Sequence, residues 1–116
     1  MIIAKETNNR CGIFLFYDGQ GVVDDYVMYL LQSLRPFLKN LLVVINGEVN
    51  EEGMAKLSNV ADEVMPRINK GFDVGGYRDG IFHLGLDKLA EYDEVVLFNY
   101  TFFRTVRQEN SQHGTD

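Results

Sequence analysis

The chain of 116 residues carries 17 acidic against 11 basic side chains, a net charge of −6, which argues against a nucleic-acid binder and against docking on an anionic membrane through net charge. With 46% apolar and 24% charged residues, it has the balance of one folded, soluble domain rather than of a disordered or low-complexity chain. A single cysteine, Cys11, excludes an internal disulfide or a cysteine-cluster metal site and suggests a reducing compartment.

Met1 to Glu6 lacks the basic flank and long apolar stretch of a secretory signal. No window reaches the roughly 20 consecutive apolar residues of a membrane helix. The expectation is a cytoplasmic protein without a transmembrane segment, active if anywhere near lipid at the inner face of the membrane. Gly12 to Tyr17 is an unbroken β-branched and aromatic run, the signature of a strand buried on both faces, and Asp18-Gly19-Gln20-Gly21 ends it. Val23, Tyr26, Val27, Leu30, Leu31, Leu34 and Leu38 then fall on one helical arc that Pro36 ends or bends. The pair Asp24-Asp25 at the start of that helix suits capping and the positive end of the dipole better than acid-base chemistry.

Leu41 to Ile45 is a second buried strand, stopped by Asn46-Gly47. Asn50 caps a short helix with Glu51 and Glu52 in its first turn and Met54, Leu57 and Ala61 facing inward. Glu63 to Ile68 is a marginal strand, placed at the sheet's edge by Pro66, which lacks a ladder donor. Asn69 to Gly76 is a glycine-rich loop leading into a helix whose inner arc holds Ile81, Phe82, Gly85, Leu86, Leu89 and Tyr92. Glu94 to Phe98 is a fourth strand closing at Asn99, and nothing after Phe103 shows either period. Residues 1–103 therefore read as one domain and 104–116 as a polar, disordered tail. The alternation predicts an α/β fold: a parallel four-stranded sheet in the order 3-2-1-4, with helices on both faces and the order reversing between strands one and four.

In such sheets ligands bind beyond the carboxyl ends of the strands, which here carry Tyr17 and Asp18, then Asn46, then Arg67 and Asn69, then Asn99. Turn chemistry accounts for Asp and Asn at these places equally well. The loop from Asn69 to Gly76 combines glycines, which allow close backbone approach, with Lys70, Asp73 and Arg78, and it precedes a helix N-terminus that suits an anion. It matches neither the P-loop nor the dinucleotide fingerprint, so a flexible connector is the equal alternative. His83 falls opposite the buried arc of its helix and His113 in the tail, leaving no histidine pair at metal-ligand spacing. Neither a Gly-x-Ser-x-Gly elbow nor a Cys/His arrangement is visible.

The run from Arg67 to Gly80, whose most specific part is Arg-x-Asn-x-Gly-Phe-Asp-Val-Gly-Gly-Tyr, resembles the rhamnan synthesis F family of glycosyltransferase-like proteins. Asp18, the Val23 to Val27 segment and the Val43 to Gly47 strand are similar to that family's opening, so the likeness covers most of residues 12–103. It implies a Rossmann-like, GT-A-like half that binds a nucleotide-diphosphate sugar for rhamnan or another rhamnose-containing glycan. The base and ribose are expected near Asp18 and Asn46, and the diphosphate near Arg67, Asn69 and the backbone of Gly71, Gly75 and Gly76. Asn99 stands at the rim, and Asp73 either bonds a sugar hydroxyl or pairs with Arg67 or Arg78. Where such folds carry an acidic metal motif after the fourth strand, this chain has Asn99-Tyr100-Thr101, so no metal site and no cofactor are assigned to it. A divalent cation, the glycan acceptor and the base that activates it are expectations for the longer family fold, with this chain alone inactive. The rival reading is a non-catalytic α/β binding or assembly module.

Overall fold

The computed structural model describes residues 9–67, 73–99 and 102–107, and for Asp73, Val74 and 102–107 the backbone alone. Five strands, β1 (Arg10–Phe16), β2 (Asn40–Asn46), β3 (Glu63–Arg67), β4 (Glu94–Asn99) and β5 (Phe102–Arg107), form one sheet in the order β3-β2-β1-β4-β5. The first four are mutually parallel in the expected order, with the reversal between β1 and β4. β5 runs antiparallel along β4, so residues 104–107 belong to the sheet and not to a tail. Its sequence, FFRTVR, has neither an unbroken apolar run nor a clean alternation, and pairing with β4 organises it instead. The rest of the expected tail, 108–116, lies outside the described residues.

Helices α1 (Asp25–Leu34), α2 (Glu51–Val60), α3 (Asp73–Leu84) and α4 (Leu86–Leu89) cover the sheet. Alternate strand residues serve opposite layers. Phe14, Phe16, Val43, Ile45 and Phe98 pack under Val27, Leu31 and Leu57 of α1 and α2. Ile13, Leu15, Leu42, Val44 and Val95 pack with Tyr77, Leu89 and Tyr92 on the other side. A sheet covered on both faces needs apolar residues at successive positions, which is why β1 and β2 read as continuous runs. Phe14 and Phe98 meet across β1 and β4 with ring centroids 5.0 Å apart at a tilt of 53°.

Both expected caps form. The Asp24 carboxylate accepts from the Val27 amide at 3.1 Å and the Asn50 side chain from the Gly53 amide at 2.7 Å. Pro36 ends α1 by opening a single 3-10 turn, Arg35–Phe37, that delivers Leu38 to the core. The expected inner arc of the later helix is broken: Phe82 and Leu86 are each 65% exposed. Gly85, at φ +91, ends α3 and restarts the chain as α4, so helical phase does not carry across it, and Ile81, Leu84, Leu89 and Tyr92 face the core instead.

At the opposite end of the sheet from the strand carboxyl ends, Arg10 and Glu94 stand side by side on β1 and β4 and form a buried ion pair at 2.6 Å. At the β3 edge, the Gly47 amide donates to the Arg67 carbonyl at 3.1 Å, so the backbone of Arg67 faces β2 and that of its neighbour Pro66 faces outward.

Gly76 and Gly80 lie on the sheet-facing side of α3. A Cβ on Gly76 would stand 2.5 Å from Leu15 Cδ1, and one on Gly80 would stand 3.1 Å from Ile13 and Val44. Two glycines one turn apart thus let α3 sit directly on β1 and β2. Gly76→Ala is expected to lower the melting temperature despite the ~1 kcal/mol that alanine gains in helix propensity, because overpacking a core costs about 1–3 kcal/mol. Gly80→Ala should cost less, and equal melting points for wild type and Gly76→Ala would contradict the close approach.

Cys11 is buried, as its type suggests, and burial pushes its thiol up from 9.0 to about 11, with nearby Lys88 opposing the shift. Folding should therefore protect it from a thiol reagent at pH 8, with labelling appearing on denaturation. Because the unfolded chain releases this proton at lower pH than the folded one, stability should fall as the pH rises from about 9 towards 11.

Candidate functional site

The carboxyl ends of β1, β2 and β3 open into a cleft of about 940 Å³, bounded by the β1–α1 loop, the β2–α2 loop and the Pro66-Arg67 end of β3. The first loop is a tight turn. Asp18 Oδ2 accepts from the amides of Gln20 at 3.0 Å and Val22 at 3.1 Å, and the Gly21 amide donates to the Asp18 carbonyl at 3.1 Å. Gly21 sits at φ +70, and a Cβ there would come within 3.1 Å of the Glu48 carbonyl. That close approach lets the Asn50 amide donate to the Gly21 carbonyl at 2.8 Å, which stitches the two loops together. The cleft wall is therefore built from fixed backbone.

Arg67 stands at the floor. Its Nη1 donates to Asn46 Oδ1 at 2.6 Å and its Nε to Asp79 Oδ2 at 2.8 Å. Since a guanidinium only donates, the Asn46 atom facing it is the amide oxygen. One side chain thereby joins β2, β3 and α3, and its own exposure falls to 13%.

The expected site residues divide accordingly. Asp18 and Arg67 line the cleft. Asn46 is 4% exposed, and its side-chain oxygen accepts from Arg67 beside the cleft. Gly75 and Gly76 lie in the first turn of α3, not in a loop, and Gly76 faces Leu15 of the core, so close helix packing explains it better than ligand approach. Asn99 closes β4 and is half-buried. Asp73 opens α3 with its side chain outside the described set, and Asn69, Gly71 and Tyr100 lie outside the described residues. The described ion-pair partner of Arg67 is Asp79, a residue that sequence reasoning did not single out. His83 is exposed, as expected, and pairs with the carboxylate of Glu63.

The family model for rhamnan synthesis protein F matches residues 41–109, from β2 through α3 to the end of β5. The chain belongs to the rhamnan synthesis protein F family. An uncharacterized protein of Sinorhizobium fredii, y4gN, is 35% identical over 80 residues, which cover 69% of this chain and 21% of that protein. This member of the family thus spans about a fifth of the length of the curated relative it matches. Among the described residues, no helix is long and apolar enough to cross a membrane.

Asp79 and Asn46 together hold Arg67 at the rhamnan synthesis F corner. Asp79→Ala and Asn46→Ala should each lower stability by about 1–3 kcal/mol, since each leaves a guanidinium donor without its acceptor. In a double-mutant cycle, Arg67→Ala and Asp79→Ala should couple on the order of 1 kcal/mol. Strict additivity in chemical denaturation would show that the pair does not act as a unit.

Proposed function

We propose that this chain is the donor-binding part of a glycosyltransferase that builds rhamnan or another rhamnose-containing polysaccharide, and that it holds a nucleotide-diphosphate sugar in the cleft above β1, β2 and β3. The observation that carries the reading is Arg67: a cation at the carboxyl edge of a parallel sheet, pinned by Asn46 and Asp79, with the cleft above it. A guanidinium held in a fixed plane suits phosphate oxygens, with which it makes charge-assisted and often bidentate bonds. α3 follows β3 and so begins at the same carboxyl edge of the sheet, where the positive end of a helix dipole favours the same charge. Membership of the rhamnan synthesis F family supports the polysaccharide side of the reading.

In this scheme Asp18 shapes the β1–α1 turn that borders the nucleoside, while Asn46 and Asp79 aim Arg67 at the diphosphate. The scheme assigns no described residue of this chain to the glycan acceptor or to the group that activates its hydroxyl.

A thermal-shift panel of nucleoside diphosphate sugars tests this directly. A ligand at about 100 times its dissociation constant should raise apparent stability by about 2.7 kcal/mol. Arg67→Lys, which keeps the charge but loses the planar fork, should weaken binding of the best donor by about tenfold or more, in line with the loss of a charged hydrogen bond of about 1.5–3 kcal/mol. If no member of the panel shifts the melting point, donor binding by this chain is wrong. If Arg67→Lys lowers the melting point with affinity unchanged, Arg67 is a brace alone.

A further inference from the structure

We propose that the groove between α1 and α2 is a docking site for an extended acidic peptide of a partner protein. The groove encloses about 690 Å³ and is walled by the two helices and by the 3-10 turn that ends α1. Its turn residues Arg35 and Pro36 lead into β2 and its Val60 leads into β3, so it opens at the amino ends of the strands, away from the cleft. The inference therefore stands apart from the donor-binding reading.

Charge comes first. On a chain of net charge −6, the charged residues that line this groove, among those described, are the cations Arg35 and Lys56. Both are held in place. Arg35 Nη1 donates to the Leu38 carbonyl and Nη2 to Asp62 Oδ2, each at 2.7 Å, and Lys56 Nζ donates to the Val23 carbonyl at 3.1 Å. Donors are left over on each, because a guanidinium also carries Nε–H and an ammonium carries three hydrogens. Asp62 and Asp25 stand beside the two cations, yet neither lines the groove. Asp62 Oδ2 also accepts from the Leu41 amide at 2.8 Å, and Asp25 is fully exposed, 4.0 Å from Lys56. Cations tethered in advance lose little freedom when an anion arrives.

The carboxamides single out a peptide. The dipole at the C-terminal end of α1 accounts for a cation at Arg35, but not for Gln32 on one wall and Asn59 on the other. Both are exposed, and neither is engaged in a hydrogen bond among the described residues. A carboxamide offers a donor and an acceptor together, which is the complement of a peptide group. Between Met28 and Arg35 the wall runs about 10 Å at the helical rise, room for about three residues of extended chain. Met28, with its adaptable thioether, and Val60 give an apolar side chain of the peptide a surface to rest on. A free phosphate or a lipid headgroup would use the cations and leave the carboxamides and the apolar wall idle. An extended segment uses all three, with its main chain on Gln32 and Asn59 and its carboxylates on Arg35 and Lys56.

The test is nuclear magnetic resonance on the whole chain, titrated with capped hexapeptides in two pools that differ only in holding glutamate or glutamine at two positions, the rest being uncharged. The glutamate pool should shift the backbone amides of Gln32, Arg35, Lys56 and Asn59 and leave those of Asp18, Gln20 and Arg67 in place. The glutamine pool should bind about tenfold more weakly, the loss that follows from giving up a charge-assisted bond. Lys56→Gln should weaken the glutamate pool by about the same factor. Because Lys56 also holds the Val23 carbonyl, a second variant joins Gln32→Ala to Asn59→Ala; it should keep the wild-type melting point and bind the pool about fivefold more weakly or worse. Absence of shifts at millimolar peptide overturns the proposal, and so does equal binding of the two pools or an undiminished affinity in the double variant. Inorganic phosphate or phosphatidylglycerol vesicles binding as tightly as the peptide would overturn it in favour of a simple anion site. Shifts of the same amides on raising the protein concentration alone would overturn it in favour of self-association.

Discussion

The guanidinium of Arg67 fixes how three elements meet at the carboxyl edge of the sheet. Its backbone closes the ladder between β3 and β2 through Gly47, while its side chain reaches Asn46 on β2 and Asp79 on α3. These contacts depend on one another. The Asn46 oxygen is buried and would lose an acceptor's role without Arg67, and a guanidinium so little exposed needs fixed acceptors to offset its desolvation. α3 reaches the corner because Gly76 and Gly80 let it lie close to β1 and β2. The packing of glycine against the core is thus what brings the Asp79 carboxylate within reach of a strand end.

That coupling separates two roles that residue types alone leave mixed. Glycines beside Asp, Arg and Lys have the composition of an anion-binding loop, yet Gly76 and Gly80 of α3 serve the core. The polar contribution comes from a strand terminus and from the second turn of the helix. Meanwhile the cleft wall is made by main chain: a carboxylate that organises a turn, a glycine at positive φ and a loop-to-loop amide bond. A wall of this construction changes little when a ligand arrives, which places the demands of recognition on the few side chains that project from it.

Much of the architecture was legible in the residues. The buried strands announce themselves because a doubly covered sheet requires apolar positions in succession, and Asp24 and Asn50 announce the helix starts because few other side chains satisfy those amides. Phe82 and Leu86 misled because an arc drawn at a constant angle assumes one helix, and the positive φ of Gly85 resets the phase. β5 was hidden because an antiparallel edge strand takes its order from its partner, and FFRTVR carries no period of its own. Asn46 is visible in the sequence as a strand-end residue but its tie to Arg67 is not, and nothing local marks Asp79, because the contact is defined by the crossover that docks α3. No local pattern encodes that contact.

The outward-facing backbone of Pro66 has a consequence for how the molecule behaves in company. Among the described residues β3 is an edge strand of the sheet, and open margins recruit strands from other molecules by offering rows of amides and carbonyls. At the outward position nearest the cleft, this margin presents a proline nitrogen with no hydrogen to give. An incoming strand would find its hydrogen-bond pattern interrupted beside the cleft. The same imide that costs the β2–β3 ladder nothing therefore acts as a guard against intermolecular sheet growth and the aggregation that follows it.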